Sequence, residues 1–234
     1  MRALLVHHDA NSLPGHVGRA LEERRAQLTV HQVCEAPGSP VGSPAFPDPG
    51  GHDLVVLFGS RWSVYEDAAA HWVEPEQAFV RRADELGVPV LGLCFGGQLL
   101  SAALGGTVAP TPHPELGWTD VVPAEPPAAS PGPAIETGPW LQWHFDAFTV
   151  PDGAVELARS PAGAQAFRLR RNLGLQFHPE ADRPVLESWM EDDLDQLVAA
   201  GLDASAMLDG ADRYHDAALG RARRLLAAFL DGAG

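Results

Sequence analysis

The sequence predicts an α/β fold, in which a doubly wound, mostly parallel sheet carries helices on both faces and continues into a partly antiparallel extension. Two observations lead to this prediction. Over residues 1–106, short apolar runs typical of buried strands alternate with segments of helical periodicity. After residue 106, several shorter strand-like runs follow one another before the chain turns helical. We expect residues 1–234 to form a single domain.

The first part of the chain predicts the element order β-α-β-β-α-β-α. The expected strands are "RALLVHH", "LTVHQVC", "DLVVLFG" and "VPVLGLC", and the expected helices are "GHVGRALEERRAQ", "EPEQAFVRRADELG" and "GGQLLSAALGG". The run that ends at Gly59 is continuously apolar after its first residue, which indicates a strand buried on both faces. Gly87 ends the second helix, because glycine is a common residue just after a helix.

The second part predicts shorter strands and then helices. The expected strands are "GWTDVVPA", "GAVELARS", "AQAFRLR" and "NLGLQFH", and a Pro/Ala-rich loop at 123–134 interrupts them. From Arg183 onward, apolar residues recur at three- and four-residue steps, which predicts a helix. These residues are Val185, Leu186, Trp189, Met190, Leu194 and Leu197. The segment "DRYHDAALGRARRLLAAFL" predicts a last amphipathic helix.

The composition argues against several classes of function. The 31 acidic and 16 basic residues give a net charge of −15, which repels phosphate backbones and argues against nucleic-acid binding. Every basic residue counted there is an arginine, so no lysine is available for a Schiff base. The two cysteines, Cys34 and Cys94, do not make a disulfide framework, and we therefore expect a reducing cytoplasm.

Two further features have simple structural interpretations. No charged residue lies between Glu85 and Glu115, but prolines and glycines interrupt this stretch, so we expect a buried strand, a turn and a buried helix rather than a membrane span. The consecutive residues His7, His8 and Asp9 lack a further metal ligand at suitable spacing. We interpret them as a loop at the end of the first strand.

The segment "GLCFGGQ" predicts a nucleophile elbow at Cys94. An apolar strand runs into this cysteine and a helix follows at once, which is the strand–turn–helix context of an elbow. Gly92 and Gly96 leave room for the bend, and the side chain then projects at the carboxyl edge of the sheet. The N-terminus of the helix favours a reactive thiolate. The alternative is a buried cysteine, since cysteine is among the most buried residue types.

A second motif, "LGLQFHPE", ends another apolar run. Residues i and i+2 of an extended segment point to the same side, so Glu180 can accept a hydrogen bond from His178. The other imidazole nitrogen then faces Cys94, which gives a nucleophile, a base and an orienting carboxylate. The alternative is an edge histidine beside a solvated Glu180. Because both motifs end strands of one α/β chain, we favour a shared site.

Together, "GLCFGGQ" and "FHPE" resemble the triad-type class I glutamine amidotransferases, most closely stand-alone proteins similar to the amidotransferase domain of GMP synthase. The first strand, "LVVLFGS", the elbow, "QWHFDAF" and "LGLQFHPE" follow the order expected of that family. The resemblance implies a flavodoxin-like sheet and attack of Cys94 on the side-chain amide of glutamine. Ammonia would leave, and water would hydrolyse a γ-glutamyl thioester. His178 would transfer the protons and Glu180 would hold its tautomer.

The resemblance also implies which groups stabilise the oxyanion. One donor would be the backbone N–H of Phe95, and the other would come from the loop at Gly59 and Ser60. The sequence "GSRW" departs here from the paired glycines that are common in the family.

Three further residues are implied as substrate contacts. Gln98 matches a glutamine that meets the substrate in similar proteins. Within "QWHFDAF", Asp146 would pair with the substrate ammonium and His144 would shape the pocket. The alternative for this motif is an aromatic-rich loop.

The sequence leaves three functions open. The leading one is a glutamine-hydrolysing amidotransferase that delivers ammonia to a synthetase partner or works alone. The second is a γ-glutamyl hydrolase or peptidase that uses the same thioester chemistry on another γ-glutamyl compound. The third is a binding protein with a relic triad, against which the intact Cys94, His178 and Glu180 argue. The hydrolysis step implies no metal or organic cofactor.

Overall fold

A computed structural model gives the structure of the chain and describes residues 1–124, 135–199 and 201–232. The strands are β1 (Arg2–His7), β2 (Gln27–Gln32), β3 (Leu54–Leu57), β4 (Val90–Leu93), β5 (Val108–Pro123), β6 (Gly138–Phe148), β7 (Val155–Ser160), β8 (Gly163–Leu169) and β9 (Asn172–Leu175). The helices are α1 (Gly15–Glu23), α2 (Ala70–Glu85), α3 (Phe95–Ala103), α4 (Arg183–Ala199) and α5 (Ala204–Gly232), with a short 3-10 helix at Pro49–Gly51.

The strands form one nine-stranded sheet in the order β2-β1-β3-β4-β9-β8-β7-β5-β6. The first five of these strands pair in parallel, and their order is that of a flavodoxin-like sheet. The other four pair in antiparallel fashion and form the predicted extension. Because β4 lies between β3 and β9, the chain segments that follow these three strands meet at one edge of the sheet.

Helices cover both faces of the parallel part, as predicted. Alternate residues of a strand point to opposite faces, so Leu4 and Val6 of β1 pack with α2 and α3. Ala3 and Leu5 of the same strand pack with α1 and α5 on the other face. The continuous apolar run predicted for β3 is explained by this burial on both sides, since all four of its residues are buried.

Strand β6 was not predicted, and the aromatic-rich loop considered for "QWHFDAF" is wrong. Within β6, His144 and Asp146 are buried, whereas Phe145 between them is 43% exposed. The alternation of burial is that of a strand, but polar residues occupy the buried positions 142, 144 and 146, so a search for alternating hydrophobicity does not find it.

The second part of the chain also differs in its boundaries. Strand β5 begins at Val108, well before the predicted "GWTDVVPA", and its pairing with β6 shifts register between Pro110 and Glu115. Helix α5 begins at Ala204 rather than near residue 212. Residues 125–134 of the predicted Pro/Ala-rich loop lie outside the described residues.

The uncharged stretch between Glu85 and Glu115 contains β4, the turn at Cys94 and α3. Within the described ranges, none of the helices combines the length and the apolar character that crossing a bilayer requires.

His16 of α1 is buried and contacts the ring of His215 of α5 edge-on at 5.0 Å between centroids. Neither of its ring nitrogens has a hydrogen-bond partner among the described residues. Burial lowers the pKa of His16 from 6.5 to about 4; the nearby Asp182 opposes this shift and His215 adds to it.

This shift predicts a loss of stability in acid. The unfolded chain binds a proton at His16 near pH 6.5, whereas the folded chain does so only near pH 4. The free energy of unfolding that depends on the neutral His16 is therefore fully present above pH 6.5, and it is lost as the pH falls from 6.5 to 4. We expect His16→Leu to remove about 3 kcal/mol of this pH dependence in urea unfolding. The exposed His113→Gln is the control, and an unchanged slope in His16→Leu would contradict the assignment.

Candidate active site

The turn between β4 and α3 has the backbone of a nucleophile elbow. Cys94 has φ +50° and ψ −109°, a conformation that costs energy for a residue with a side chain. The turn closes because two glycines approach backbone atoms. A Cβ on Gly96 would lie 2.2 Å from the Leu57 oxygen, and one on Gly92 would lie 2.4 Å from the Gly96 oxygen.

The Cys94 side chain lies at the start of α3 and is 5% exposed. Its Sγ is 3.7 Å from the Trp143 carbonyl oxygen, and Gln176 Nε2 is 3.8 Å from the same sulfur. Both contacts are long and weak, so neither group binds the sulfur tightly. The N-terminus of α3 directs its partial positive charge toward this position.

His178 and Glu180 form the predicted pair directly beyond β9. His178 Nδ1 donates to Glu180 Oε1 at 2.8 Å, because a carboxylate oxygen accepts, and the backbone N–H of His178 donates to the Leu141 oxygen at 2.9 Å. Glu180 is not the solvated neighbour considered as an alternative, since it is fully buried. His178 Nε2 is buried and has no hydrogen-bond partner among the described residues.

The charges around His178 act on its proton. Burial alone would lower the pKa of His178, but the negative charges of a Cys94 thiolate and of Glu180 outweigh burial and raise this pKa to about 10. The arrangement therefore favours the imidazolium form of His178 at neutral pH.

The start of α1 and the Trp189 ring pack against the His178–Glu180 pair and restrict its movement. Gly15, with φ +46°, lies so close that a Cβ there would be 1.9 Å from the backbone carbonyl oxygen of Glu180, and the backbone N–H of His16 donates to that carbonyl oxygen at 2.9 Å. The Trp189 ring contacts the His178 ring edge-on at 4.7 Å between centroids. The start of α1 and the ring from α4 thus limit how far the pair can move.

Gly59 lies between the cysteine and the histidine. A Cβ at this position would be 3.2 Å from His178 Cε1 and 3.9 Å from Cys94 Cβ, so both side chains flank this glycine. They line one pocket of about 130 Å³. Of the residues predicted from the sequence, those that line it are Gly59, Ser60, Cys94, Gln98, His144, Asp146, His178 and Glu180. Phe95 contributes its backbone to the elbow, while its buried ring packs against His8 and Trp72.

The three candidate substrate contacts belong to one hydrogen-bonded network. Gln98 Nε2 donates to the Asp146 carbonyl oxygen at 3.2 Å, and His144 Nδ1 is 3.0 Å from the same oxygen. The Asp146 carboxylate accepts from Ser63 Oγ at 2.6 Å and from Tyr65 Oη at 2.7 Å. The loop after β3 is therefore tied to β6 across the pocket.

Sequence reasoning missed the partners that hold this loop. Ser63 and Tyr65 belong to "SVYED", whose family resemblance was the only available signal. His8 lies in the loop after β1, as predicted, but its burial and its pairing with Glu76 at 2.8 Å had no local sequence signal. Cys34 lies outside the pocket, and burial raises the pKa of its thiol to about 11.

The sequence matches the model of one protein family, described as glutamine amidotransferase class-I, over residues 10–194. The chain belongs to this family. Two relatives are GMP synthases described as glutamine-hydrolyzing. That of Mycobacterium marinum is 42% identical over 130 residues, which are 54% of this chain and 23% of the relative. That of Aeropyrum pernix is 36% identical over 140 residues, which are 56% of this chain and 25% of the relative.

The match therefore spans about a quarter of the length of those relatives. This amidotransferase shares its fold with solved structures over nearly its whole length. A glutamine amidotransferase from Thermotoga maritima has a TM-score of 0.84 at 24% identity, covering 99% of this chain and 98% of the other. One from Methylobacillus flagellatus has a TM-score of 0.85 at 24% identity, covering 99% and 94%.

The close packing of the elbow predicts that one added methyl group strongly destabilises the fold. In Gly96→Ala the new Cβ would overlap the Leu57 carbonyl, and backbone cannot swing away as a flexible side chain can. We expect the free energy of unfolding to fall by about 3 kcal/mol in urea titrations. Gly51→Ala is the matched control, because its Cβ would meet nothing within 4 Å. Equal stabilities of the two variants would contradict the close approach.

Proposed function

We propose that this amidotransferase hydrolyses the side-chain amide of glutamine with Cys94, His178 and Glu180 as its catalytic triad. The observation that carries the proposal is the convergence of the strained Cys94 and the buried His178–Glu180 pair on Gly59 in one pocket. A merely structural cysteine does not require a positive φ at the start of a helix.

The proposed reaction proceeds in two halves. The Cys94 thiolate attacks the amide carbon of glutamine and forms a C–S bond, while the carbonyl π electrons move to the oxygen. When the oxyanion collapses, the C–N bond breaks and the His178 imidazolium gives its proton to the departing nitrogen, which leaves as ammonia. Water then loses a proton to His178 and attacks the thioester, and glutamate and the Cys94 thiolate are released. Glu180 keeps the Nδ1 proton of His178 in place throughout.

The backbone N–H groups of Phe95 and of the Gly59–Ser60 loop are the proposed oxyanion donors. Gln98, His144 and Asp146 are the proposed contacts of the substrate's amino-acid end. Asp146 already accepts two hydroxyl hydrogen bonds, but each carboxylate oxygen has a second lone pair with which to meet an ammonium.

We further propose that residues 1–234 act as one amidotransferase domain and supply ammonia to a synthetase. The chain corresponds to about a quarter of the GMP synthases that it matches, and those relatives are described as glutamine-hydrolyzing. The proposed chemistry uses only protein groups and water, without a metal or an organic cofactor.

Replacing the nucleophile gives the most direct test of turnover. We expect the wild type to release ammonia from glutamine and Cys94→Ser to lose at least about 10⁴-fold in kcat, as measured by a coupled ammonia assay. Cys34→Ala should retain turnover, because Cys34 lies outside the pocket. Turnover in Cys94→Ser would refute the nucleophile assignment. Cleavage of γ-glutamyl peptides without ammonia release from glutamine would replace the proposed substrate.

The raised pKa of His178 predicts the pH dependence. Loss of the His178 proton near pH 10 removes the acid for the departing ammonia, so kcat/KM should fall on the alkaline side. Glu180→Gln removes one of the two negative charges that raise this pKa, so the alkaline limb should move to lower pH. We expect kcat to fall by about 10²-fold or more as well. An alkaline limb that stays in place would contradict the proposed role of Glu180.

A further inference from the structure

We propose that the buried His8–Glu76 pair positions the Gly59–Ser60 peptide so that the Ser60 N–H points at the oxyanion. The inference rests on the proposed function and assigns His8 and Glu76 as positioning residues, neither of which lines the pocket.

The pair has no access to solvent, since both side chains are 0% exposed. His8 Nε2 lies 2.8 Å from Glu76 Oε1, and His8 Nδ1 lies 3.2 Å from the Gly59 carbonyl oxygen. The Gly59 carbonyl oxygen can only accept, so Nδ1 donates to it, and Nε2 donates to a Glu76 carboxylate. Burial lowers the pKa of His8, but the charge of Glu76 and its hydrogen bond outweigh burial and raise this pKa, which favours the imidazolium. His8 therefore uses Nε2 to pair with Glu76 and Nδ1 to bond the Gly59 carbonyl oxygen.

The bond to Gly59 determines the direction of the next N–H. In a trans peptide the C=O and the following N–H lie in one plane and point in opposite directions. Because His8 holds the Gly59 oxygen on its own side, the Ser60 N–H is turned away from His8. Ser60 lines the pocket that Cys94 and His178 share.

Among the described residues, the Ser60 N–H is also not engaged in a hydrogen bond. In contrast, the Arg61 N–H donates to Asp9 at 3.0 Å and the Trp62 N–H donates to Ser60 Oγ at 3.3 Å. A cation that bonds the carbonyl oxygen polarises the whole peptide, which makes its N–H a better donor.

The same imidazolium contacts the other proposed donor segment. The His8 ring packs edge-on against the Phe95 ring at 4.7 Å between centroids, and the Phe95 N–H is the first of helix α3. One side chain therefore connects both sources of oxyanion donors, the elbow and the loop after β3.

The test replaces the pair in two ways. His8→Leu/Glu76→Met removes both charges together, because an unpaired buried charge strongly destabilises the fold while an apolar replacement of both groups is often tolerated. Glu76→Gln keeps a neutral His8 that still donates from Nδ1 to Gly59 while its Nε2 accepts from the new amide. We expect kcat for glutamine to fall about 10²- to 10³-fold in the apolar variant, with KM changed less than about threefold. Glu76→Gln should stay within about tenfold of wild type.

A second measurement separates positioning from folding. In the alkylation of Cys94 by iodoacetamide, the sulfur attacks a saturated carbon and no oxyanion forms. The alkylation rate should therefore be unchanged in the apolar variant. A kcat within threefold of wild type in that variant would overturn the inference. Parallel loss of turnover and alkylation would also overturn it, because the pair would then only hold the fold.

If wild type releases no ammonia from glutamine, the proposed function fails, and a crystal structure of the apolar variant tests the inference by itself. We expect the Gly59–Ser60 peptide plane to have rotated in that structure. An unchanged plane would show that His8 does not position it.

Discussion

The positive φ of Cys94 is the constraint on which the site depends. A residue with a side chain adopts this conformation at a cost of about 1–3 kcal/mol, so surrounding contacts must impose it. The Leu57 carbonyl presses on Gly96, and the Cys94 N–H is tied to the Leu175 oxygen at 2.9 Å. The two strands that flank β4 thus hold the bend from both sides. The same two strands lead into Gly59 and into His178, which is why the strained residue and its partners meet.

A layer of buried polar groups gives the site its rigidity. His8 pairs with Glu76, His178 pairs with Glu180, and Asp146 accepts from two hydroxyls of the loop after β3. Groups of this kind are costly to bury unless each has its partner, and once paired they hold one geometry. In the proposed reaction this matters because donors that are already oriented need no rearrangement when negative charge develops.

The sequence predicted the parallel half of the fold well, because strands buried on both faces are continuous apolar runs and helices between them show their own period. The elbow and "HPE" were found for a related reason, since each is a short motif at the end of such a run. The strand β6 was missed because its buried positions hold His144 and Asp146, whose partners come from distant segments. His8 and Glu76 are 68 residues apart, so no local pattern connects them. Only the fold brings such pairs together.

The central claim is that the sulfur at position 94 is the reacting nucleophile. Incubation with a diazoketone analogue of glutamine, followed by mass spectrometry of the intact and digested protein, tests it most directly. We expect one covalent adduct on Cys94, whose formation excess glutamine slows, and an unmodified Cys34, because burial raises the pKa of its thiol to about 11. An adduct on Cys34 with Cys94 unmodified would contradict it.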